Sequence, residues 1–145
     1  MYKNASIFSV FIGVLLWSSC NTKTEPAHSS APSKLLEFEY LGNSDTTCAT
    51  LSGQILGRNE KGDTVPLEGV TIVISDSYED YMSDKQGNFS SCHSEGAKEV
   101  EIAKDGYQTA LLENYVAQPD QVAGFKILLE QGEGDVILKI TNKNK

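Results

Sequence analysis

The chain has 145 residues, with 12 basic and 20 acidic side chains and a formal net charge of −8. This length allows one ordinary domain. An acidic chain lacks the positive charge needed to neutralise phosphates, so nucleic acid is excluded as the expected partner. Two histidines and three cysteines leave little material for a metal site, and we expect neither a metal nor a cofactor.

The first segment has the features of an export signal. Lys3 precedes a largely apolar run at 5–17, and two serines stand directly before Cys20. As a helix, a run of this length would measure about 20 Å, which is short for the ~30 Å hydrocarbon core of a bilayer. A positive start, a short apolar core and a small-residue cleavage site are typical of a signal peptide. We therefore predict a signal peptide at 1–19.

The residues around Cys20 resemble the lipobox of bacterial lipoproteins. In that family the signal is removed just before the cysteine, and its thiol and new amino group are acylated. Trp17 stands where the family prefers leucine. The resemblance implies lipidation of Cys20, several acyl chains being enough for stable attachment to a membrane. It also implies a place in the bacterial cell envelope, on the outer membrane. The alternative is an ordinary secretory signal with an incidental cysteine.

Residues 20–34 are predicted to be a flexible tether. They are rich in serine, threonine, proline and alanine and show no apolar periodicity. Such a composition buries too little surface to offset the entropy of ordering. His28 lies within it and is expected to be solvated and without chemistry. The folded domain is predicted at 35–145.

From Leu35 onward the apolar residues recur with a period of two. Alternation of this kind predicts strands with one buried and one solvated face. The clearest runs lie at 51–55, 70–74, 98–102, 125–129 and 136–140, and turn signals separate them at 59–63, 84–88, 104–106 and 131–134. This pattern is typical of a β-sandwich. The segment 108–116 also fits a short helix, but we favour a strand there.

Five short motifs then follow in order. They are GQI (53–55), VPLEGVTI (65–72), SDKQGNF (83–89), VEIAKDGY (100–107) and FKILL (125–129). Together they resemble the carboxypeptidase regulatory-like domain over about residues 49–130, with Ser83 in place of the usual threonine. The resemblance implies an all-β, seven-stranded Greek-key sandwich of the transthyretin (prealbumin) type. Its motifs serve turns and packing and include no active site.

The domain lacks a set of side chains for catalysis. His93 is its only imidazole outside the tether, whereas a zinc or iron site needs three or four ligands. Hydrolysis by serine or cysteine needs an activating base. Cys92 precedes His93, but neighbours on a strand point to opposite faces, so the pair is poorly placed for proton transfer. We expect no enzymatic activity.

We predict a disulfide between Cys48 and Cys92. Exported chains meet oxidising conditions, and once Cys20 is acylated the other two cysteines make an even pair. Cys48 is out of phase with Leu51, and Cys92 is out of phase with Phe89, so both should lie off the core face. The alternative is two free thiols.

Four acidic residues lie within nine positions: Asp76, Glu79, Asp80 and Asp84. Calcium prefers oxygen ligands of this kind, but the spacing matches no EF-hand loop. We interpret the segment as a solvated acidic loop, and leave open whether 76–84 binds calcium.

The tyrosines offer a candidate binding surface. Tyr78, Tyr81, Tyr107 and Tyr115 are candidates for an exposed aromatic patch, and Tyr78 and Tyr81 are the candidate binding residues. We favour the interpretation that these tyrosines are half-buried sheet residues, with a binding role as the alternative. Removal of a signal peptide would leave no tryptophan in the chain, which weakens the case for a sugar platform.

The sequence therefore predicts a non-enzymatic lipoprotein, held on a membrane by its lipid anchor. Its sandwich is expected to have an accessory role, or to contact another protein of the envelope. The alternative function is a weak carbohydrate- or peptide-binding module of the cell envelope. No metal, cofactor or nucleic acid is expected in either case.

Overall fold

The computed structural model describes residues 31–43 and 47–140, which form ten strands and no helix. In chain order the strands are β1 Lys34–Asn43, β2 Ala49–Arg58, β3 Thr64–Pro66, β4 Thr71–Ile74, β5 Tyr81–Met82, β6 Asn88–His93, β7 Gly96–Ala103, β8 Thr109–Ala117, β9 Gln121–Leu129 and β10 Asp135–Lys139. The predicted all-β class is confirmed. Within these ranges, no helix has the length and apolar character to cross a membrane.

The strands form a sandwich of two sheets. Sheet I has the order β1-β9-β2-β3, with β6 also paired to β2, and sheet II has the order β10-β8-β7-β4-β5. The pairs β2–β9 and β8–β10 are parallel, and the other pairs are antiparallel. The two-sheet sandwich that the sequence predicts is thus confirmed. The finer expectation, a transthyretin-like arrangement of seven strands, stays a prediction.

The core is made by alternate residues of strands from both sheets. On β7, Val100 and Ile102 are buried whereas Glu99 and Glu101 are exposed. On β6 the same alternation buries three residues and exposes three. The inward side chains meet in one apolar cluster, whose fully buried larger members include Leu51, Ile55, Val70, Ile72, Ile74, Leu112, Ile127 and Leu129. The apolar residues that alternate in the sequence are therefore the ones buried on the inner face of each strand.

Strand β8 contains a bulge that changes which of its residues face the core. Ala110 and Leu112 are buried, and so is Tyr115, so the alternation slips by one position between Leu112 and Tyr115. The pairing with β7 shifts at this point. Asn114 has a positive φ of 66°, which asparagine tolerates better than most residues. The segment 108–116 therefore forms a strand, as predicted, although its spacing also fits a helix.

The turn before β6 holds that strand close against β2. The Oδ1 atom of Asp84 accepts hydrogen bonds from the backbone N–H groups of Gln86 and Asn88, at 2.9 and 2.8 Å. Gly87 has a φ of 76°, and its carbonyl oxygen accepts a hydrogen bond from the Ile55 N–H at 2.8 Å. A Cβ at position 87 would collide with the Ile55 carbonyl oxygen. Only glycine fits both the φ angle and the close approach.

The chain enters the sandwich through a buried polar contact at Ser33. The Ser33 N–H and hydroxyl both donate to Gln108 Oε1, at 2.8 and 3.0 Å, and the hydroxyl oxygen accepts from the Glu130 N–H at 3.0 Å. The buried Glu130 carboxylate is paired with Arg58, whose Nε lies 3.0 Å away. β1 starts at Lys34, and the Gln108 amide donates to the Ala31 carbonyl at 3.5 Å, so residues of the predicted tether contact the domain. The predicted signal peptide at 1–19, the lipidation site Cys20 and His28 lie outside the described residues.

Gly62 and Gly87 have similar φ angles but different surroundings, so alanine variants of the two distinguish the cost of backbone strain from the cost of a steric clash. Gly62 has a φ of 84° and would have open space around a Cβ, whereas Gly87 would not. We expect Gly62→Ala to lower the free energy of unfolding by about 1 kcal/mol, from the left-handed backbone alone. Gly87→Ala should cost about 3 kcal/mol or more, because β6 must also move away from β2. Urea unfolding of both variants measures the difference, and equal losses would contradict the close approach.

Candidate functional site

Two open clefts lie at opposite ends of the sandwich. The Tyr78 cleft, about 350 Å³, is lined by 76–79, Tyr81 and 92–94, where β4 and β6 end and β7 begins. The Tyr107 cleft, about 570 Å³, is lined by Gly69, Thr71, 103–107, Thr109 and 132–134, where β7 ends and β8 begins. Gln108, the partner of Ser33, belongs to this second end. The Tyr78 cleft is therefore remote from the point where the chain enters the domain.

A disulfide joins Cys48 and Cys92 beside the Tyr78 cleft, which confirms the predicted pairing. The two Cα atoms are 5.6 Å apart, and 44 positions separate the residues in sequence. Cys92 is exposed and Cys48 is half-buried, and both lie outside the apolar core, as their phase predicts. The bond ties the start of β2 to the end of β6.

The acidic loop of the Tyr78 cleft is held by contacts of its own. Asp76 Oδ2 lies 3.6 Å from the Nζ atom of Lys98. The Ser77 N–H donates to the Ile74 carbonyl at 3.0 Å, and its hydroxyl donates to the Glu79 carbonyl at 3.1 Å. Among the described residues, no three His, Cys, Asp or Glu side chains are grouped as metal ligands. The four acidic residues of 76–84 are therefore not brought together around a calcium position.

Tyr81 and Tyr78 occupy different environments. Tyr81 is half-buried, and its hydroxyl donates to the Cys92 carbonyl at 2.7 Å and lies 3.4 Å from the Cys92 N–H. Because Cys92 is on β6 of sheet I and Tyr81 is on β5 of sheet II, this hydroxyl links the edges of the two sheets. Tyr78 is fully exposed. Of the two candidate binding residues, only Tyr78 presents its whole ring to a ligand.

A polar network lies directly behind this cleft. His93 is buried, with Nδ1 3.3 Å from the Ser91 hydroxyl and Nε2 3.1 Å from the Tyr115 hydroxyl. The Ser91 hydroxyl also donates to the Leu51 carbonyl at 2.9 Å. Since that bond uses the single serine proton, Nδ1 of His93 must donate to Ser91, and Nε2 must accept from Tyr115. The Ser91–His93–Tyr115 network is therefore closed by internal hydrogen bonds.

Burial keeps both ring groups of this network neutral. Desolvation, followed by the nearby charge of Lys98, lowers the pKa of His93 below its ordinary value of 6.5. Desolvation, followed by the neighbouring Tyr40, raises the pKa of Tyr115 well above its ordinary value of 10. Each shift disfavours the charged form, as expected for a group removed from water. A neutral imidazole whose two nitrogens are engaged is poorly available as a general base.

Lys98 contacts two residues that line the Tyr78 cleft. Its side chain is 3% exposed, and its ammonium donates to the Ser94 hydroxyl at 2.9 Å and faces Asp76. A lysine this buried needs such partners. The contact ties Asp76, and with it the start of the acidic loop, to the start of β7.

The four tyrosines do not form one patch. Tyr115 is in the core, because the bulge at Asn114 turns it inward, so it does not join an exposed patch. Tyr107 lines the cleft at the other end of the domain. This second cleft carries Thr71 and Thr109, one basic and two acidic residues, and glycine turns that expose backbone groups.

The sequence drew attention to the pair Cys92–His93, whereas the structure joins Ser91 to His93. The two-residue spacing places Ser91 and His93 on the face that carries Phe89, so the signal was present in the phase of β6. Nothing in the sequence marks Tyr115 as the second partner, because the bulge shifts the phase of β8 between Leu112 and Tyr115.

Comparisons with known proteins identify no family and one distant structural similarity. No family model matches the chain, and no curated protein matches it. Among solved structures, similarity is found to a chain of an N-terminal interface mutant of a type II cohesin–X-dockerin complex from Acetivibrio cellulolyticus, with a TM-score of 0.41 and 17% identity. The match covers 62% of this chain and 52% of that chain, about half its length. Similarity at this level carries no information on ligand or partner.

The disulfide should make a large contribution to stability. A closed loop of this length restricts the unfolded chain by about 4 kcal/mol in the chain-entropy model. We expect the double variant Cys48→Ser with Cys92→Ser to lose up to that amount in urea unfolding. A reductant should destabilise the unaltered chain but leave the double variant unchanged. No effect of the reductant on the unaltered chain would contradict the predicted contribution.

Acidification should weaken the domain through His93. The folded state resists protonating this imidazole, whereas the unfolded chain accepts the proton near pH 6.5. Stability should therefore fall as the pH drops below 6.5, with a slope of at most about 1.4 kcal/mol per pH unit from this group. His93→Gln should lose stability at pH 7.5 but show a shallower loss towards pH 5. The control His28→Gln should keep the original slope. A parallel slope in His93→Gln would contradict the prediction.

Proposed function

We propose that the chain is a non-enzymatic lipoprotein that is anchored to a membrane through Cys20 and contacts a partner protein of the bacterial cell envelope. The anchor rests on the lipobox-like residues before Cys20 and on the export-signal pattern of 1–19. The outer membrane is the proposed location. The proposal of a partner protein is based on the geometry of the Tyr78 cleft.

We also propose the carboxypeptidase regulatory-like fold for the sandwich. Six strands of four or more residues lie within the resemblance at 49–130, namely β2, β4, β6, β7, β8 and β9. The adjoining β1, which pairs with β9, would be a seventh, the number that the resemblance implies. The motif turns also support it, since Asp84, Gly87 and Gly106 occupy turn positions before strands or a bridge.

The observation that most directly supports a protein partner is a fully exposed tyrosine, Tyr78, on a loop that is held by hydrogen bonds and an ion pair. Tyr78 follows Asp76 and Ser77, which are tied to Lys98 and to the end of β4. Tyrosine is enriched among the residues that dominate binding energy, and a loop that is already held by Asp76 and Ser77 loses less entropy on binding. The acidic residues beside it, Glu79 and Asp80, favour a partner surface with basic side chains.

The internal hydrogen bonds of the core support a non-enzymatic role. The Ser91 hydroxyl proton is donated to the Leu51 carbonyl, so Ser91 lacks an activated proton path to His93. The Cys92 thiol is in the disulfide. Ser91, Cys92 and His93 therefore each have a structural partner.

Affinity capture of the full chain from its native membranes tests this proposal. We expect one stoichiometric protein to be retained, and its retention to fall at least tenfold in Tyr78→Ala, the effect of losing a dominant contact. Tyr40→Ala is the matched control, because Tyr40 is also exposed but lies on β1. The absence of a reproducible partner, or equal retention by Tyr78→Ala, would contradict the proposal.

A second candidate function, binding of a carbohydrate, is favoured by the Tyr107 cleft. An aromatic ring beside hydroxyl groups, carboxylates and open backbone suits a polar neutral ligand. A glycan array separates the candidates. Binding lost in Tyr107→Ala would support a sugar site at that cleft, and binding lost in Tyr78→Ala or Tyr81→Ala would support one at the Tyr78 cleft. If no glycan on the array binds, the proposal of a sugar site is contradicted for both clefts.

A further inference from the structure

The edges of the two sheets differ in how they are protected. On β1 the pairing shifts register twice, and Glu37 and Glu39 point outward. The short strand β3 contains Pro66, and β5 has only two residues. Bulges, charges, proline and shortness are the usual devices that prevent pairing at an edge. Strand β10 has no bulge and no proline: it is regular over five residues, its two charged residues have opposite signs, and it pairs only with β8 among the described strands.

The backbone of β10 has alternate groups directed at its open edge. The Gly134 carbonyl accepts from the Thr109 N–H, and the Ile140 N–H donates to the Glu113 carbonyl, so the even-numbered residues face β8. Because backbone groups alternate along a strand, the N–H and C=O groups of Asp135, Ile137 and Lys139 face away from β8. Three residues at this edge are therefore available to pair with another strand.

The side chains at this edge are self-complementary. We propose that β10 pairs antiparallel with β10 of a second copy of this chain, about a twofold axis at Ile137. In that register Ile137 faces Ile137, and Asp135 of one copy faces Lys139 of the other at two equivalent places. Each pair exchanges two backbone hydrogen bonds, and opposite charges directly across a strand pair are favourable. The two sheets II become one ten-stranded sheet, through an isologous contact.

The outer surface of sheet II continues this contact. Val73, Glu101, Leu111 and Ile137 share one row across the sheet, and its two members nearest the open edge, Leu111 and Ile137, are apolar. Ile137 is 54% exposed. Pairing at β10 joins the Leu111–Ile137 pairs of the two copies and covers the flank of Ile137. The same operation on β1, about Phe38, would place Glu37 against Glu39 and is disfavoured.

This association does not depend on the Tyr78 cleft, and cross-linking tests it. In the proposed pair the two Ile137 Cα atoms lie about 5.5 Å apart, within the range that a disulfide spans. The full chain carrying Ile137→Cys, oxidised in its native membrane, should form a dimer whose disulfide joins the two introduced cysteines. Val73→Cys is the matched control: the side chain is on the same face, but the two copies would be separated by about 34 Å. It should give only the background from random collision.

Charge exchange tests the register. In the Ile137→Cys background, Asp135→Lys places two lysines opposite each other at both ends of the pair, and we expect the cross-linking rate to fall about tenfold. Lys139→Asp should do the same, although it also removes the exposed contact with Glu113. The double variant, Asp135→Lys with Lys139→Asp, restores opposite charges and should recover the rate. An intact Cys48–Cys92 bond in each variant shows that the domain has folded.

Three results would overturn the proposal. The first is cross-linking of Ile137→Cys no faster than that of Val73→Cys. The second is a bond from position 137 to a protein other than a second copy. The third is a cross-linking rate that the single charge reversals leave unchanged, or that the double variant fails to restore.

Discussion

The buried polar side chains His93, Lys98 and Glu130 are tolerated in the sandwich because each is held by hydrogen-bonding or charged partners. His93 bonds to Ser91 and Tyr115, Lys98 faces Ser94 and Asp76, and Glu130 pairs with Arg58. An unpaired polar group would cost more than most single contacts contribute. These bonds bring together elements that apolar contact alone would leave free to shift. The His93–Tyr115 bond in particular joins β6 of sheet I to β8 of sheet II.

This constraint also explains why the groups with the most chemistry are poor candidates for catalysis. A neutral imidazole with both nitrogens engaged stabilises the core because it gives up no proton and accepts none. The same bonds that satisfy His93 leave its lone pair unavailable to a substrate. The surface of the Tyr78 cleft consists of the exposed Tyr78 ring, the loop that carries it and the neighbouring Cys48–Cys92 disulfide. Such a surface is suited to recognition.

Much of the fold could be predicted from the sequence, because strand alternation and turn chemistry are local properties. Alternation at Val100 and Ile102 predicts the buried face of β7, and Asp84 and Gly87 predict the turn before β6. The disulfide was predicted from the even cysteine count of an exported chain, and the phase of both cysteines placed them off the core face. The bulge at Asn114 could not be predicted, since it depends on how β8 fits β7, so the full burial of Tyr115 and the Ser91–His93–Tyr115 network were missed. Sheet order depends on contacts between distant segments and is likewise not a local property.

The point of attachment gives the two ends of the sandwich different surroundings. Thirteen positions separate Cys20 from Ser33, which span at most about 45 Å. Ser33 is fixed at the end of the sandwich that holds the Tyr107 cleft. If Cys20 is the anchor, as proposed, the tether joins the domain at this end. A strand of ten residues is about 33 Å long, and the Tyr78 cleft lies at the far end of such strands. A partner on the distal side of the domain therefore meets Tyr78 first. In the antiparallel pair proposed at β10 the second copy is turned end for end, so in an upright pair one Tyr78 cleft points away from the membrane and the other towards it. The tether of the inverted copy must then span the strand length of about 33 Å, which is within its reach of about 45 Å.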